Sequence, residues 1–586
     1  MRQWMVAAKK ADFYAIAEKF HVDPVVARII RNRADSGEKN IRIYLGGNLS
    51  DLSDPHQMKD MDRLVEILAQ KIRKQVHIRI IGDYDVDGVT SSHLFLTALR
   101  RVGAKVDVVI PHRIQDGYGL SLHLLQQAKE DGVDTILTCD NGIAAIDEIA
   151  WAKAQKMTVL VTDHHAVPFE EHEGRRTEKK SLADAVVNPH QQDCGYPYKE
   201  LCGAGVAWNV IRVLYENYDM DKREAEDLLD FVAMATVCDV MSLTGENRIL
   251  VKEGLKRIRH TKNIGLQALM QACNVQPENI SAYHFGYVLG PCVNATGRLD
   301  TARHALRLFE TGQETEAEEI ARDLVDLNQE RKELTLQGVE MAKKLCEEGG
   351  YENDPVLVLF LPDVHESIAG LIAGRIREMY NRPVFVLTRG EEGVKGSGRS
   401  TENYSMYENM CGCAELFTKF GGHPMAAGLS LPEENVEKFR RKINENCPLT
   451  VEEVCPDIHI DMAMPVGYAS TELVHQFALL EPFGKDNPSP LFADRNLSIS
   501  RMWVIGKNRN VLRMSVLSEY GQPVPVIFFG DVETLFAYFT EKFGQEEVEN
   551  ALHGRKNRIL FSMVYTAKID FYQGNENLQL EMKYYR

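Results

Sequence analysis

The chain has 586 residues, with 68 Lys+Arg against 85 Asp+Glu, a formal net charge of −17, 44% hydrophobic and 26% charged residues. At roughly 100–200 residues per domain, that length predicts several domains. The content of 42 Gly, 21 Pro and 11 Cys excludes collagen-like, disordered and disulfide-scaffold classes. No apolar run approaches the roughly 18–20 residues that span a bilayer. The opening MRQWMVAAKK lacks the apolar core and cleavage pattern of a signal peptide, so a cytoplasmic protein without a membrane partner is expected. The cysteines are scattered, odd in number and free of CxxC pairs, which fits reduced thiols better than bridges or a zinc module. The acidic balance argues against coating nucleic acid through overall positive charge and leaves room for a local basic groove.

Residues 1–75 read as a helical region, with VDPVVARIIRNR amphipathic, and are expected to pack on the domain that follows. Over 76–310, apolar runs HIRIIGDYD, KVDVVIP, TILTCDNG, TVLVTDHH and DAVVNP alternate with helix-length stretches. That alternation predicts βαβ units around a parallel sheet buried on both faces. Acids and histidines close several runs: Asp83, Asp85 and Asp87 the first, Asp140 the third, Asp163, His164 and His165 the fourth. In an open α/β sheet the crevice lies beyond the carboxyl ends of the strands, so these side chains are expected to converge. DFVAMATVCDVMSL, helical or strand-like, delivers Asp239.

Residues 311–350 contain no proline and place Ile320, Leu324, Leu327, Leu334 and Met341 near helical spacing, which predicts a long connecting helix. A second α/β domain is expected over 351–450, built from PVLVLF, a helix from about Glu366 to Tyr380, and PVFVLT. The tail, 456–586, carries the aromatic and β-branched runs SISRMWVIGKNRNVLRMSVL, QPVPVIFFG, RILFSMVYTAKIDFY and LQLEMKYY. They predict a small antiparallel barrel of the OB type.

GDYDVDGVT (82–90) admits several readings. As a calcium loop it fails where a bidentate Glu is needed, because that position is Leu94. As a dehalogenase-type phosphatase it supplies D-x-D-G-V, and as a metal cluster three aspartates; a solvated acidic turn capping a helix is the plain alternative. Asp163-His164-His165, with carboxylates at neighbouring strand ends, favours the cluster, since mixed carboxylate and imidazole ligands suit Mn²⁺ or Mg²⁺. Two such ions about 3.5–4 Å apart activate water for in-line displacement at phosphorus. KGSGRS (395–400) puts small residues, a hydroxyl and an Arg into one turn that suits a phosphate, or into a plain hairpin turn. FGGHPMAAG, NATGR with Asn294 and Arg298, and PHRIQDGYG with Arg113 each present a polar group beside glycine or after a strand. Trp503, Lys507, Arg509 and Arg513 interleave an aromatic with basic residues on a hairpin, as single-strand binding requires, with a core tryptophan beside a basic turn as the plain alternative.

Taken in order, GDYDVDG, PHRIQDGYG, CDNG, TDHH, VVNPHQ, LCGAGVAW, VCDV, NATGR, KGSGRS, FGGH and EPFGKDNPSPLF span nearly the whole chain. With them the chain resembles the DHH phosphoesterase superfamily, and within it the RecJ-type single-strand exonucleases. The resemblance implies a 5′→3′ exonuclease that releases mononucleotides from single-stranded DNA with two Mn²⁺ or Mg²⁺ ions, on DHH and DHHA1 domains with an OB-like tail. It implies Asp85, Asp87, Asp140, His164 and Asp239 as main metal ligands, with Asp83, Asp163 and His165 supporting or sharing coordination. It further implies Arg298 and His423 at the scissile phosphate, and Arg113, Ser397 and Arg399 at the 5′-terminal phosphate. Single-strand selectivity would come from a channel too narrow for duplex, and single-strand-binding protein and a helicase are candidate partners of a monomeric enzyme. Val364, Ser367 and Asp486 depart from the family pattern, where tryptophan, glycine and glycine are usual. A short-oligonucleotide or cyclic-dinucleotide phosphodiesterase on the same core is the alternative enzyme. A non-catalytic scaffold would have lost ligands that this chain keeps.

Overall fold

The computed structural model describes residues 3–33, 37–112, 119–172, 175–299, 301–351, 353–390, 393–506, 509–572 and 574–586. Its contacts divide the chain into two compact units. One comprises Leu52–Met241 and Ile249–Pro456; the other comprises Gln3–Asp51, Ser242–Arg248 and Asp457–Arg586.

In the first unit, a five-stranded all-parallel sheet runs in the order Lys105–Val109, His77–Ile81, Thr135–Cys139, Thr158–Thr162, Ala185–Val187. The chain order 2-1-3-4-5 reverses beside His77–Ile81, so the crevice of this doubly wound sheet opens at the carboxyl ends of His77–Ile81 and Thr135–Cys139. Three helices pack together behind that opening: Val86–Arg101, Gly203–Asn217 and Leu229–Cys238. Leu229–Cys238 is helical and, apart from Asp230 and Thr236, apolar, and both of the other helices touch it.

The connecting helix runs over Glu314–Glu348. Its second half sends Val339, Ala342 and Cys346 into a core shared with Leu357, Leu359, Ile368, Ile372 and Val386, whereas Met341 on the expected apolar stripe is exposed. That core belongs to a mixed sheet ordered Lys419–His423, Ala426–Leu431, Gly393–Arg399, Val384–Gly390, Leu357–Phe360, in which only the last two strands are parallel. KGSGRS is not a turn, as its glycines suggested: it lies in the central strand Gly393–Arg399. Gly396 and Gly398 leave the space that Leu387 and Phe385 fill from the next strand.

In the second unit, Phe492–Ile505, Val511–Leu517, Pro523–Phe529, Asn575–Tyr585 and Leu560–Tyr572 pair in that order, and the last pairs back onto the first. The ring is closed, a five-stranded OB-like barrel in which one pair, Pro523–Phe529 with Asn575–Tyr585, is parallel. The expectation that all of residues 1–75 pack on the first domain is corrected here. Helices Phe13–Phe20, Pro24–Arg33 and Glu38–Gly46 bury Ala17, Val26, Ile29, Ile30 and Tyr44 in one core with Val466, Phe477, Leu480 and Phe492. Trp4–Val6 pairs in parallel with Ile458–Ile460, and Arg33 binds Asp461 at 3.1 Å. Of the amino-terminal helices, Met61–Arg73 joins the first unit, against Ala185–Val187 and Gly203–Asn217. Among the described residues, no helix is long and apolar enough to cross a membrane.

Candidate metal centre

The site grows from the carboxyl end of His77–Ile81, where the chain passes almost directly into helix Val86–Arg101. Asp85 caps that helix, its Oδ1 accepting from Gly88 N at 3.0 Å. Gly88 is demanded by close approach, because a Cβ there would stand 2.5 Å from Asp83 N and O. Asp87 is buried and accepts from Gly203 N at 2.6 Å and Ala204 N at 2.7 Å. It therefore sits on the positive end of helix Gly203–Asn217. On the adjacent strand, Asp140 follows Cys139 with φ +62°, a left-handed conformation that non-glycine residues seldom adopt outside turns and functional sites. Asn141 holds this turn, its Nδ2 donating to Ile81 O at 3.1 Å and Cys139 O at 2.9 Å.

His164 and His165 follow the strand Thr158–Thr162, and Asp239 caps the carboxyl end of Leu229–Cys238. Ligand atoms of Asp83, Asp85 and Asp140 lie within 4.8 Å of one another, as do those of Asp140, His164 and His165, and those of Asp87, His164 and Asp239. Asp140 and His164 each belong to two of these groups, so the three form one continuous cluster. His164 Nε2 lies 3.0 Å from Asp140 Oδ1, 3.6 Å from Asp239 Oδ2 and 3.7 Å from Asp87 Oδ2. Neither of its ring nitrogens makes a hydrogen bond of good geometry, although the ring is buried.

Asp163 is different from the other acids. Its Oδ1 accepts from His164 N at 2.7 Å, His165 N at 3.0 Å and His165 Nδ1 at 2.8 Å, and its Oδ2 from Ile143 N at 2.9 Å. Four N–H donors thus meet the Asp163 carboxylate, which agrees with the supporting half of its expected role, supporting or sharing coordination. Asn188, fully buried, donates from Nδ2 to His165 O at 2.9 Å and fixes the same residue from the other side.

The electrostatics suit a divalent cation. Burial, then the neighbouring carboxylates Asp87 and Asp85, holds Asp140 well above the usual carboxylate range, and burial followed by Asp87 raises Asp85. Burial holds His164 below its ordinary value, in the neutral form that ligates metals. Burial alone would lower His165, but its hydrogen bond to Asp163 and the surrounding carboxylates carry it to about 9. Burial would raise Asp163, and the bond from His165 overcomes it and holds the group low. A cluster of acids in which burial and neighbouring carboxylates raise Asp140 and Asp85, beside an imidazole whose nitrogens lack hydrogen bonds, is a donor set that suits a hard or borderline metal ion.

A second set of residues faces this loop. Asn294, on helix Gly290–Leu299, accepts from Val86 N at 3.2 Å, and Arg298 of the same helix donates to Ser367 O at 2.6 Å. Ser367 stands in the first turn of helix Glu366–Tyr380, capped by His365, whose Nδ1 accepts from Ser367 N at 3.3 Å. Ser397 and Arg399 lie against the same turn: a Cβ on Gly370 would be 2.9 Å from Arg399 Nη2 and 3.4 Å from Ser397 Oγ. This helix start thus gathers a hydroxyl and two guanidinium groups, a set of donors that could meet an anion. Tyr84, Ser367, Lys395 and Ser397 line a pocket of about 420 Å³ there. His423 is exposed at the end of the hairpin Lys419–His423 and Ala426–Leu431, and no ligand group among the described residues includes it. Arg113 lies outside the described residues, as does Lys507.

On the barrel, Trp503 is 38% exposed, opposite Arg513 on the next strand, with Arg501 5.7 Å over its ring and Arg509 in the turn at φ +53°. Sequence reasoning missed Arg501, which an i, i+2 strand spacing to Trp503 would have flagged. It also missed the roles of Gly203, Ala204 and Asn188, although LCGAG and VVNP were singled out.

Three comparisons bear on this arrangement. Residues 77–236 match the N-terminal domain of the DHH family, 353–447 the DHHA1 domain and 460–584 the RecJ OB domain. The single-stranded-DNA-specific exonuclease RecJ of Haemophilus influenzae is 32% identical over 582 residues, 96% of each chain. That of Bacillus subtilis is 33% identical over 512 residues, 87% of this chain and 63% of the relative's length. A crystal structure of RecJ in complex with Mn²⁺ from Thermus thermophilus superposes with a TM-score of 0.81 at 25% identity, covering 100% of this chain and 79% of that one.

Proposed function

The chain belongs to the RecJ family of exonucleases, and from that premise we propose that it degrades single-stranded DNA from the 5′ end, releasing mononucleotides by metal-dependent hydrolysis in DNA repair and recombination. The observation that carries this reading is the continuous cluster of Asp83, Asp85, Asp87, Asp140, His164, His165 and Asp239, joined through the buried Asp140 and His164. These seven residues would hold two Mn²⁺ or Mg²⁺ ions, which supply an activated water and neutralise charge at the attacking and leaving oxygens.

The chain's own residues do the rest. Asp163 and Asn188 fix His165 from its two sides. Asn294 holds the acidic loop through Val86 N, and Arg298 of the same helix, which donates to Ser367 O, would contact the scissile phosphate. His423 approaches that phosphate from the opposite domain. Ser397 and Arg399, with Arg113, grip the 5′-terminal phosphate and set the register of cutting. On the barrel, Trp503 stacks a base while Arg501, Lys507 and Arg509 pair with phosphates. The same reading takes the protein as a cytoplasmic monomer with single-strand-binding protein and a helicase as partners.

The test is cleavage of a long 5′-phosphorylated single strand with a 3′ label, beside its duplex and a 5′-blocked strand, with Mn²⁺. A descending ladder from the free 5′ end, with duplex and blocked strand spared, is expected. Rapid hydrolysis of a dinucleotide with no attack on the long strand would overturn the reading in favour of a small-substrate phosphodiesterase. Asp140→Ala should lower turnover by orders of magnitude while single-strand binding persists, and near-normal cleavage would remove Asp140 from the metal centre.

A further inference from the structure

The helical run that carries Asn294 and Arg298 begins at Ala282, and its first turns display a feature the site has not absorbed. Tyr283 and Tyr287 are 62% and 71% exposed, and their rings stack at 5.1 Å between centroids with 26° between planes. Two large aromatic rings stacked on each other in solvent cover little apolar surface of the protein itself. The segment between and after them, Phe285–Leu289, is a π-helical turn, a form that recurs at functional sites. That turn is pressed against the residue preceding Asp239: Cys238 Sγ donates to Phe285 O at 3.3 Å. Tyr283 and Tyr287 lie on the same unbroken helical run as Asn294 and Arg298, with Tyr287 seven residues ahead of Asn294. Asn294 on that run touches the acidic loop at Val86, and Tyr287 precedes it by about two turns.

We propose that Tyr283 and Tyr287 form a stacking ledge for a nucleobase of the same DNA strand whose backbone enters the metal centre. The inference rests on the single-strand nuclease reading above. Stacking on an aromatic face tolerates every base, so the ledge holds the strand without reading its sequence, and it adds to the metal centre a grip that a dinucleotide is too short to use in full. Tyr287, the more exposed ring and the nearer to Asn294, is the principal platform, and Tyr283 backs it.

The experiment measures KM and kcat of the full chain with Mn²⁺ on a set of 5′-phosphorylated single strands, each lacking one base at a successive position from the 5′ end. The unaltered protein should show KM raised about tenfold at one or two adjacent positions. Tyr287→Ala should raise KM by about the same factor on the intact strand and lose sensitivity to the missing base at those positions. Tyr287→Trp should restore both. A Tyr287→Ala chain that keeps the parent's pattern of sensitivity, or a Tyr287→Trp chain that behaves as the Ala variant does, would overturn the ledge. Absence of cleavage of every long strand by the unaltered protein would instead overturn the nuclease reading on which the ledge depends.

Discussion

Four N–H donors converge on the carboxylate of Asp163, three of them from the two histidines that follow it. An acid whose Oδ1 takes three of these donors is held chiefly by its neighbours' N–H groups, and its negative charge is transmitted to His165 as orientation and basicity. Asp163→Asn keeps one acceptor oxygen but turns an NH₂ group toward a backbone N–H or the imidazole. Mn²⁺ affinity should then fall roughly 10–100-fold, with about 1–3 kcal/mol of stability lost to the unsatisfied donors. Calorimetric titration of Mn²⁺ checks the first, and an unchanged affinity would show that Asp163 does not govern His165. Residue types at strand ends were legible in the sequence, because acids and histidines recur there. Which acid binds metal and which binds backbone was not, because that depends on Ile143 N, which reaches Asp163 from the neighbouring strand's loop.

At the scale of elements, the start of helix Gly203–Asn217 serves two acids at once. Its first amides hold Asp87, and its first residue presses on Asp140 so closely that a Cβ on Gly203 would lie 2.6 Å from Asp140 Cβ and 2.9 Å from Asp140 Oδ1. Gly203→Ala must therefore push the helix start away or move Asp140, and either shift separates ligands that belong to different groups of the cluster. The expected result is at least a roughly tenfold higher Mn²⁺ concentration for half-maximal cleavage, read in a metal titration of activity. An unshifted midpoint would mean that the centre adapts to the displaced helix. The sequence announced this helix poorly, since LCGAGVAW opens with glycines and is buried on every side. The same physics hid Leu229–Cys238, whose apolar residues lack a polar face because two helices cover it, and the strand Gly393–Arg399, whose glycines erase the alternation of a sheet. Where one face meets water, as in Glu314–Glu348, the period was readable.

At the scale of the whole molecule, the division into two units joins residues 3–51 to residues 457–586, segments that lie some four hundred positions apart in the chain. An amphipathic helix declares that one face is covered without declaring what covers it, so Pro24–Arg33 could be predicted as a helix but not assigned to the barrel's core. Arg248 marks the same limit. It is buried, stacks 4.0 Å over Tyr44 and donates to Tyr44 O, Leu480 O and Leu479 O at 2.8 Å each, a set of partners no local pattern foretells. Global stability also carries a charge that lies apart from the metal centre. Asp230 is buried, accepts from Thr261 Oγ1 at 2.7 Å and Phe231 N at 2.8 Å, and burial pushes its carboxyl up to about 6. Because the folded form keeps a proton that the unfolded chain loses near pH 4, the stability Asp230 contributes is full below about pH 4 and is lost as pH rises through 6. His93, packed 4.5 Å from Phe231 and lowered to about 3 by burial, acts with the opposite sign: its contribution is full above about pH 6.5 and is lost as pH falls toward 3. Over the shared window the two slopes offset each other in the parent chain. Asp230→Asn removes one of them, so between pH 4 and 7 the variant should gain about 3 kcal/mol relative to the parent and show a steeper loss in acid. Melting temperatures of both chains from pH 4 to 8 test this, and two parallel curves would mean that Asp230 is ionised in the folded protein throughout.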